Sequence, residues 1–581
     1  MKKIIFKTLI LAVGFMTVNA CSDNLLDTKP LDKYTESVIW NDAKLAQGFV
    51  YNSCHDIVRY FLSTKTEDWK YLGSGQEDFT DNICSWNTSA AFLVGRSQID
   101  RYYDVGWSKF DLIREANMII DKSSSSETFN DATKTSFIAQ GRMLRAMMYF
   151  KQAELFGKYI KIDKVLSQDD DLMLPRTSTI KETYDFILAD LDYAAEHLPL
   201  NAENGELTKG FALALKAEVA LHGAAYIESG QEDYYKQCID ASEALFALGK
   251  YSIDTDYKSI FNDYSHAETS PEIIFAMWSS SNITLYKDTP MQQLVPNCET
   301  DKVDPSAVPQ LVENFVGWPK RAPTWDLTTA YLVVDTDGVA KKWDETSYYD
   351  DWKNNGGYVS SFLWKNRDAR FEASIAHDST YLFKNLITTR VGGNLHRAMM
   401  LKGQANSSRS GIWMRKCIYE QEPLFAKNST PYHRIIARLG RSYLNYAEAL
   451  LRVDRTADAI SAMNVTRTQH GNLPALATDL SAEEAWKYYK IERRVELFYE
   501  NGDRYWSLLR WAKADGETEI PELNHGIKLL EISADGKSFE LTKTFQDDSN
   551  NTLIWDSKRF LFPVPQKQIE LNEKLDQNPG W

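Results

Sequence analysis

Residues 142–157, RMLRAMMYFKQAELFG, constrain what this chain can fold into more than any other stretch. Phe137, Gly141, Leu144, Met148 and Leu155 follow one another at steps of four, three, four and seven, so on a helix they share one face. Ala139, Ala146 and Ala153 recur every seven residues on a second face, where small side chains let another helix backbone come close. Phe150 and Phe156 widen the apolar side, and Gly157 supplies a stop. A helix with two packing faces has to sit inside an array of helices.

The same periodicity recurs on both sides of it. Asn41 and Asp42 can cap a helix running to Leu62, and a further helix is expected over 99–121, before a turn at 123–126. Tyr184, Ile187 and Leu191 mark a helical face within 179–197. Thr208 caps a helix over 209–228 with stripes of Phe211, Leu215, Val219 and of Ala214, Ala217, Ala224. Another helix is expected over 232–248, ended by Gly249. These helix pairs have the size of TPR-type hairpins, although the TPR consensus itself is absent. Helices resume at His433, where Ile436, Leu439, Tyr443 and Leu450 share a face, and continue over 456–469, 482–500 and 503–513. Between the two sets, residues 272–278 read as one short buried strand, and 279–431 carry Gly, Pro, Asn and aromatics without a sustained period. The expected fold is mainly α: a TPR-like helical-hairpin array with an inserted irregular, loop-rich subdomain. Its division is a helical scaffold at 41–269 and 432–515, the irregular part at 270–431, and a C-terminal segment at 516–581 packing on the scaffold.

Lys2 and Lys3 precede an apolar run over 4–18, a secretory leader too short to remain as a membrane span. It ends in Val-Asn-Ala-Cys, so residues 1–20 read as a lipoprotein signal peptide and Cys21 as the acylated (palmitate-bearing) first residue of the mature chain. Residues 21–40 then form a lipidated tether. The other five cysteines are widely spaced and odd in number, which favours buried thiols over a disulfide framework.

A net charge of −15 argues against nucleic acid and against docking to an anionic lipid surface by charge alone. Sequence signatures for zinc proteases, serine hydrolases, phosphate loops and dinucleotide sites are absent, and the nine His form no metal-spaced pair. No catalytic residue, metal or cofactor is expected. Glycosidase carboxylates are defined in space and escape such a search, so a surface glycoside hydrolase stays an alternative. The charged run Glu492, Arg493, Arg494, Glu496, Glu500, Asp503, Arg504 places carboxylates one helical turn apart with Arg between them, the pattern of an ion-pair network that fixes packing. Arg142, Arg145 and Glu154 read the same way.

Sixteen Trp and thirty Tyr are numerous; most belong to cores, but rings held on irregular backbone also make sugar-stacking surfaces. A sugar offers a flat face of C–H groups to a ring and hydroxyls to polar side chains. Two segments qualify: 63–99, with Trp69, Tyr71, Trp86 and Asn87, and 279–364, with Tyr286, Trp318, Trp325 and Trp352. These eight are the candidate ligand-binding residues, and Trp278 and Trp413 are assigned to the core.

Several segments, read in order, resemble one family. They are Ile113-Arg114-Glu115-Ala116-Asn117, residues 142–157, the helix ahead of Leu198-Pro199, Leu444-Asn445-Tyr446-Ala447-Glu448-Ala449, the run from Ile491 to Arg504, Phe562-Pro563-Val564-Pro565, and the terminal Gln577-Asn578-Pro579-Gly580-Trp581. Together they resemble the SusD/RagB-like lipoproteins. The resemblance implies a cell-surface, lipid-anchored outer-membrane protein. It implies capture of an oligo- or polysaccharide and delivery to a SusC-like TonB-dependent transporter; some relatives are instead associated with peptides or glycoproteins. Residues 279–431 match no part of that pattern and are where ligand identity is expected to reside.

Overall fold

The computed structural model describes residues 36–62, 77, 80–85, 101, 102, 104–298, 315–399, 408, 410–425, 427–524, 528–543 and 555–581. The expected leader, Cys21, and Trp69, Tyr71, Trp86 and Asn87 lie outside the described residues. The expected tether ends early: Glu36–Ile39 is already a helical turn, and Trp40 is buried edge-on against Phe49.

Asp42 accepts hydrogen bonds from the amides of Lys44 and Leu45 and so opens helix α1 (Ala43–Leu62). A three-residue strand, β1 (Ile83–Ser85), follows. Helix α2 (Phe110–Ser125) starts later and ends later than its sequence suggests. Asp104 draws the amides of Gly106 and Trp107 into a turn, keeping the chain non-helical there.

Helix α3 (Asp131–Phe156) contains the two-faced stretch. The Asn130 side chain accepts from the Thr133 amide at its start, and from Met143 to Phe156 every residue is buried. Burial all round is the mark of an interior helix. It stops at Gly157, whose φ of +69° suits glycine. The last-turn carbonyls of Leu155 and Phe156 accept from the Phe562 amide and the Asn578 side-chain amide. The C-terminal tail therefore caps the central helix and completes its hydrogen bonding. Gly157→Ala is expected to destabilise the fold by about 1–3 kcal/mol, read as a shift in urea midpoint, because an L residue is strained at that φ.

Helix α4 (Ile180–His197) packs on α3, α5 (Lys209–Tyr226) on α4 and α6 (Gln231–Ala247) on α5, with Thr179 and Thr208 as side-chain N-caps. Strand β2 (Ile273–Ser279) comes next, then β3 (Arg321–Pro323) and helix α7 (Trp325–Ala330) in the irregular region. Strand β4 (Tyr432–Arg438) pairs antiparallel with β2. It lies where helix was expected to resume. Tyr432 and Ile435 face other apolar clusters while Ile436 and Ala437 face the scaffold core, so two-sided burial erases the alternation that identifies a strand. Helices α8 (Leu439–Arg452), α9 (Thr456–Gln469), α10 (Ala482–Glu496) and α11 (Asp503–Ala514) complete the array. The hairpin β5 (Lys528–Ile532) and β6 (Phe539–Lys543) lies beyond them.

Two cores result. The larger unites α1–α6 with α8–α11, and the tail residues Phe560, Phe562 and Val564 enter it. The second collects Tyr286, Trp325, Phe362, Trp413 and Leu530 from the short elements of the irregular part. The fold is mainly α, a TPR-like array carrying an irregular, loop-rich insertion. Cys84, Cys238 and Cys298 are buried thiols and Cys54 and Cys417 partly buried ones; none is in a disulfide.

Candidate functional site: a surface built on a short ladder

Strands β1 and β3 pair antiparallel, with Ile83 opposite Pro323, Cys84 opposite Ala322 and Ser85 opposite Arg321. This ladder is where the two aromatic-rich segments of the sequence meet. Chain leaving β1 at Ser85 does so at the Arg321 end, three residues from Trp318. The ladder is pinned to the scaffold from below. The Arg504 guanidinium donates to both oxygens of Asp81 at 2.9 and 3.0 Å, and Arg494 donates to the Asn82 side chain at 2.7 Å. Thr324 closes the other side, its amide bonded to the Asn82 carbonyl.

Trp318 is 47% exposed. Its own amide bonds the Gln292 carbonyl, and the Lys320 amide bonds that of Gln293. At Gly317 an added Cβ would lie 1.9 Å from the Val295 carbonyl oxygen, so only glycine allows this approach. Trp318 thus stands half-exposed on a backbone fixed on both sides.

The other candidates in this half of the chain are placed differently. Tyr286 is fully buried, and Trp325 is 2% exposed at the start of α7, edge-on to Trp343. Tyr286 is a core side chain with no ring face for a ligand; Trp325 belongs to the same core but also lines the cleft described below. Trp352 is half-buried among Tyr349, Phe362 and Phe539, and its indole N–H donates to the Gly357 carbonyl. Trp413 is buried as expected, while Trp278 is only partly so and stacks on His433. Tyr381, opposite Leu386 in a hairpin, is exposed and escaped sequence reasoning, as did exposed Tyr358 and Phe425. Nothing in local spacing separates these from buried rings.

The charged run on α10 is an ion network. Arg438 is fully buried and donates to Glu272 (2.8 Å), Glu496 (2.6 Å) and Glu500 (2.8 Å). Arg370 bridges Asp368, Glu492 and Glu496, and Arg493 holds Asp503. On α3, Arg145 grips Asp190 through two bonds of 2.7 and 2.8 Å. Glu272, His470 and Glu496 converge closely enough to suggest a metal centre. The arrangement is that of a protonated imidazole instead. His470 Nδ1 lies 2.8 Å from Glu496 and Nε2 3.0 Å from Glu272, so both nitrogens donate. Burial disfavours its charge, but the two carboxylates outweigh it and push its pKa up to about 10. Burial likewise works to raise the Glu496 carboxyl, yet His470 and Arg438 hold it well below the usual range. A carboxylate held ionised that firmly is no general acid, and while both imidazole nitrogens donate, neither offers a lone pair.

At the other end of β3 from Trp318 lies a cleft of about 570 Å³ between α7, α10 and the β5–β6 hairpin. Trp343, Leu332, Ile491 and Leu541 form its apolar walls.

Comparison with known proteins agrees with this architecture. A family profile described as "SusD family" matches residues 271–581, and one described as "Starch-binding associating with outer membrane" matches residues 25–221. A curated SusD-like protein of Bacteroides ovatus is 23% identical over 280 residues; the match spans 47% of this chain and about half (50%) of that protein's length. The crystal structure of a SusD-like protein from Bacteroides fragilis superposes with a TM-score of 0.72 at 24% identity, over 95% of this chain and 100% of that one. A SusD-like carbohydrate binding protein from the same organism gives 0.70 at 20% identity, over 93% and 100%. The matched fold, and a family profile that covers more than half of the sequence, establish that this chain belongs to the SusD family.

Proposed function

We propose that this chain is a non-catalytic glycan receptor, anchored through acylated Cys21 at the outer face of the outer membrane. It captures an oligo- or polysaccharide and hands it to a SusC-like TonB-dependent transporter. The observation that carries the reading is Trp318: a half-exposed indole on a locked backbone, beside the ladder that brings the 63–99 and 279–364 segments together. A ring held still loses little entropy when a sugar stacks on it. The "Starch-binding associating with outer membrane" description and the carbohydrate-binding relative support the ligand class and the location. Against catalysis stands the engagement of the buried carboxylates described above, each tied to an Arg, a Lys or His470.

Calorimetric titration against a panel of neutral polysaccharides, oligosaccharides and peptides tests this. One glycan is expected to bind, and Trp318→Ala to weaken it by about 2 kcal/mol, roughly thirtyfold, as for a central aromatic anchor. Peptide binding with silence from every glycan would overturn the ligand class, and turnover of a bound oligosaccharide would overturn the non-catalytic role.

A further inference from the structure

The cleft beyond β3 has a distribution of charge that its surroundings do not explain. The chain carries 81 acidic and 66 basic side chains, so surface lysines meet carboxylates readily. Lys341 is held by Asp335 and Asp337 at 2.7 and 2.6 Å, and Lys487 by Glu483 at 2.8 Å. Their neighbours Lys342 and Lys490, together with Lys528 of β5, line the cleft, and none forms an ion pair with a described residue. Deeper in, Arg494 and Arg504 are engaged by Asp81. Asp326, Asp344 and Glu522 also line the cleft, and Asp326 Oδ2 is buried without a hydrogen-bond partner among the described residues. An acceptor left so costs stability until a donor reaches it.

We infer that this cleft binds an anionic saccharide, its carboxylate or sulfate lying among Lys342, Lys490 and Lys528 and a ring hydroxyl donating to Asp326. Its volume of about 570 Å³ falls within the range of small-ligand pockets, roughly 300–1,000 Å³. Its mixed lining suits a ligand that has both hydroxyls and charge: a simple anion leaves Asp326 unpaired, and a neutral sugar leaves Lys342, Lys528 and Lys490, which lies over the Trp511 ring, without a counter-charge. Trp343 and Leu541 supply the apolar wall against which a ring face can rest. The site stands apart from Trp318, with the whole of β3 between them. It rests on the glycan reading only in taking a sugar as ligand.

The test is titration of the purified full chain with a galacturonate hexamer, a chondroitin sulfate hexasaccharide and neutral maltohexaose at low and high salt. At least one acidic hexamer is expected to bind and to weaken tenfold or more at high salt. K342Q/K490Q/K528Q is expected to weaken it tenfold or more, while Trp318→Ala leaves it unchanged. Which hexamer binds separates carboxylate from sulfate recognition. If the triple variant does not fold, Lys490→Gln alone, an exposed helix position, carries the test with at least a threefold loss. Silence from both acidic hexamers at low salt overturns the site, as does wild-type affinity in the lysine variants or loss of acidic binding in Trp318→Ala. Neutral-glycan binding lost in Trp318→Ala with acidic sugars silent removes this site and keeps the Trp318 reading. Salt-sensitive acidic binding with every neutral glycan silent does the reverse.

Discussion

Arg438→Met is expected to destabilise the protein by about 3–5 kcal/mol or more, a large share of the roughly 5–15 kcal/mol that holds a domain together. Arg438 is one cation shared by three carboxylates, and none of the four groups touches water appreciably. Methionine fills a similar volume, so the loss is one of charge and not of packing. Glu496 keeps Arg370 and His470 as partners, and Glu500 keeps Lys416 at 2.7 Å. Glu272 keeps the amides of Asp254 and Gly440 but, among the described residues, only His470 as a charged partner. Arg370 is shared with Asp368 and Glu492 as well, so Arg370, His470 and Lys416 are three cations for five carboxylates, and a buried charge without compensation is the costly case. Urea denaturation checks the size. The double variant with Glu500→Gln checks the cause, since removing the surplus charge should recover part of the loss. A cost below about 1 kcal/mol, or no recovery, would mean that water reaches these groups. Arg494 and Arg504, which hold Asp81 beside the β1–β3 ladder, are sequence neighbours of Glu496 and Asp503 but form a separate set of pairs.

That network also shows what the sequence discloses and what it withholds. Glu492, Glu496 and Glu500 stand one helical turn apart with arginines between them, so ion pairing is readable from residues 492–504 alone. Their chief partners, Arg370, Arg438, Glu272 and His470, lie on other elements and carry no local sign of their role. Helices of the scaffold are legible for the same reason: a side chain repeating every three to four residues reports one face, and α9 runs over the residues its spacing indicates. β4 is not, because both of its faces are buried and its pattern merges into α8. Within the irregular region no period exists at all. Trp318 and Trp325 stand seven residues apart in similar company, yet one ring is in water and the other in a core. The difference comes from Gly317 meeting Val295 and from Thr324 capping α7, and only the second of these leaves a mark in sequence. Asp326 and the cleft lysines come from α7, α10, β5 and the loop before Trp343, so their meeting is a property of the fold.

Stability is expected to peak on the acid side of neutrality and to fall as the solution becomes alkaline, with His470 as the main cause. Its pKa is raised in the folded state, from an ordinary value of 6.5 to about 10. A group raised on folding contributes fully below its unfolded pKa and loses that contribution as pH climbs through the folded one. The window of loss therefore runs from about pH 6.5 to about pH 10. Two buried carboxyls add to the trend at lower pH, because burial pushes Glu77 and Glu154 up to about 7 from 4.5. The opposite limb comes from Glu272, Glu496, Glu500 and Asp503. Their carboxyls lie below their ordinary range because Arg, Lys and His470 outweigh burial, so their contribution is lost as pH drops below about 4. Urea midpoints measured from pH 3 to pH 10 should rise to a maximum near pH 5 and decline by several kcal/mol above pH 7. In His470→Gln the maximum should be lower, because Glu272 and Glu496 lose a cation, and the alkaline decline should flatten. A wild-type midpoint that stays level from pH 6 to pH 9.5 would show that His470 is neutral in the fold. Only one of its two nitrogens would then donate, and one of its contacts with Glu272 and Glu496 would not be a hydrogen bond.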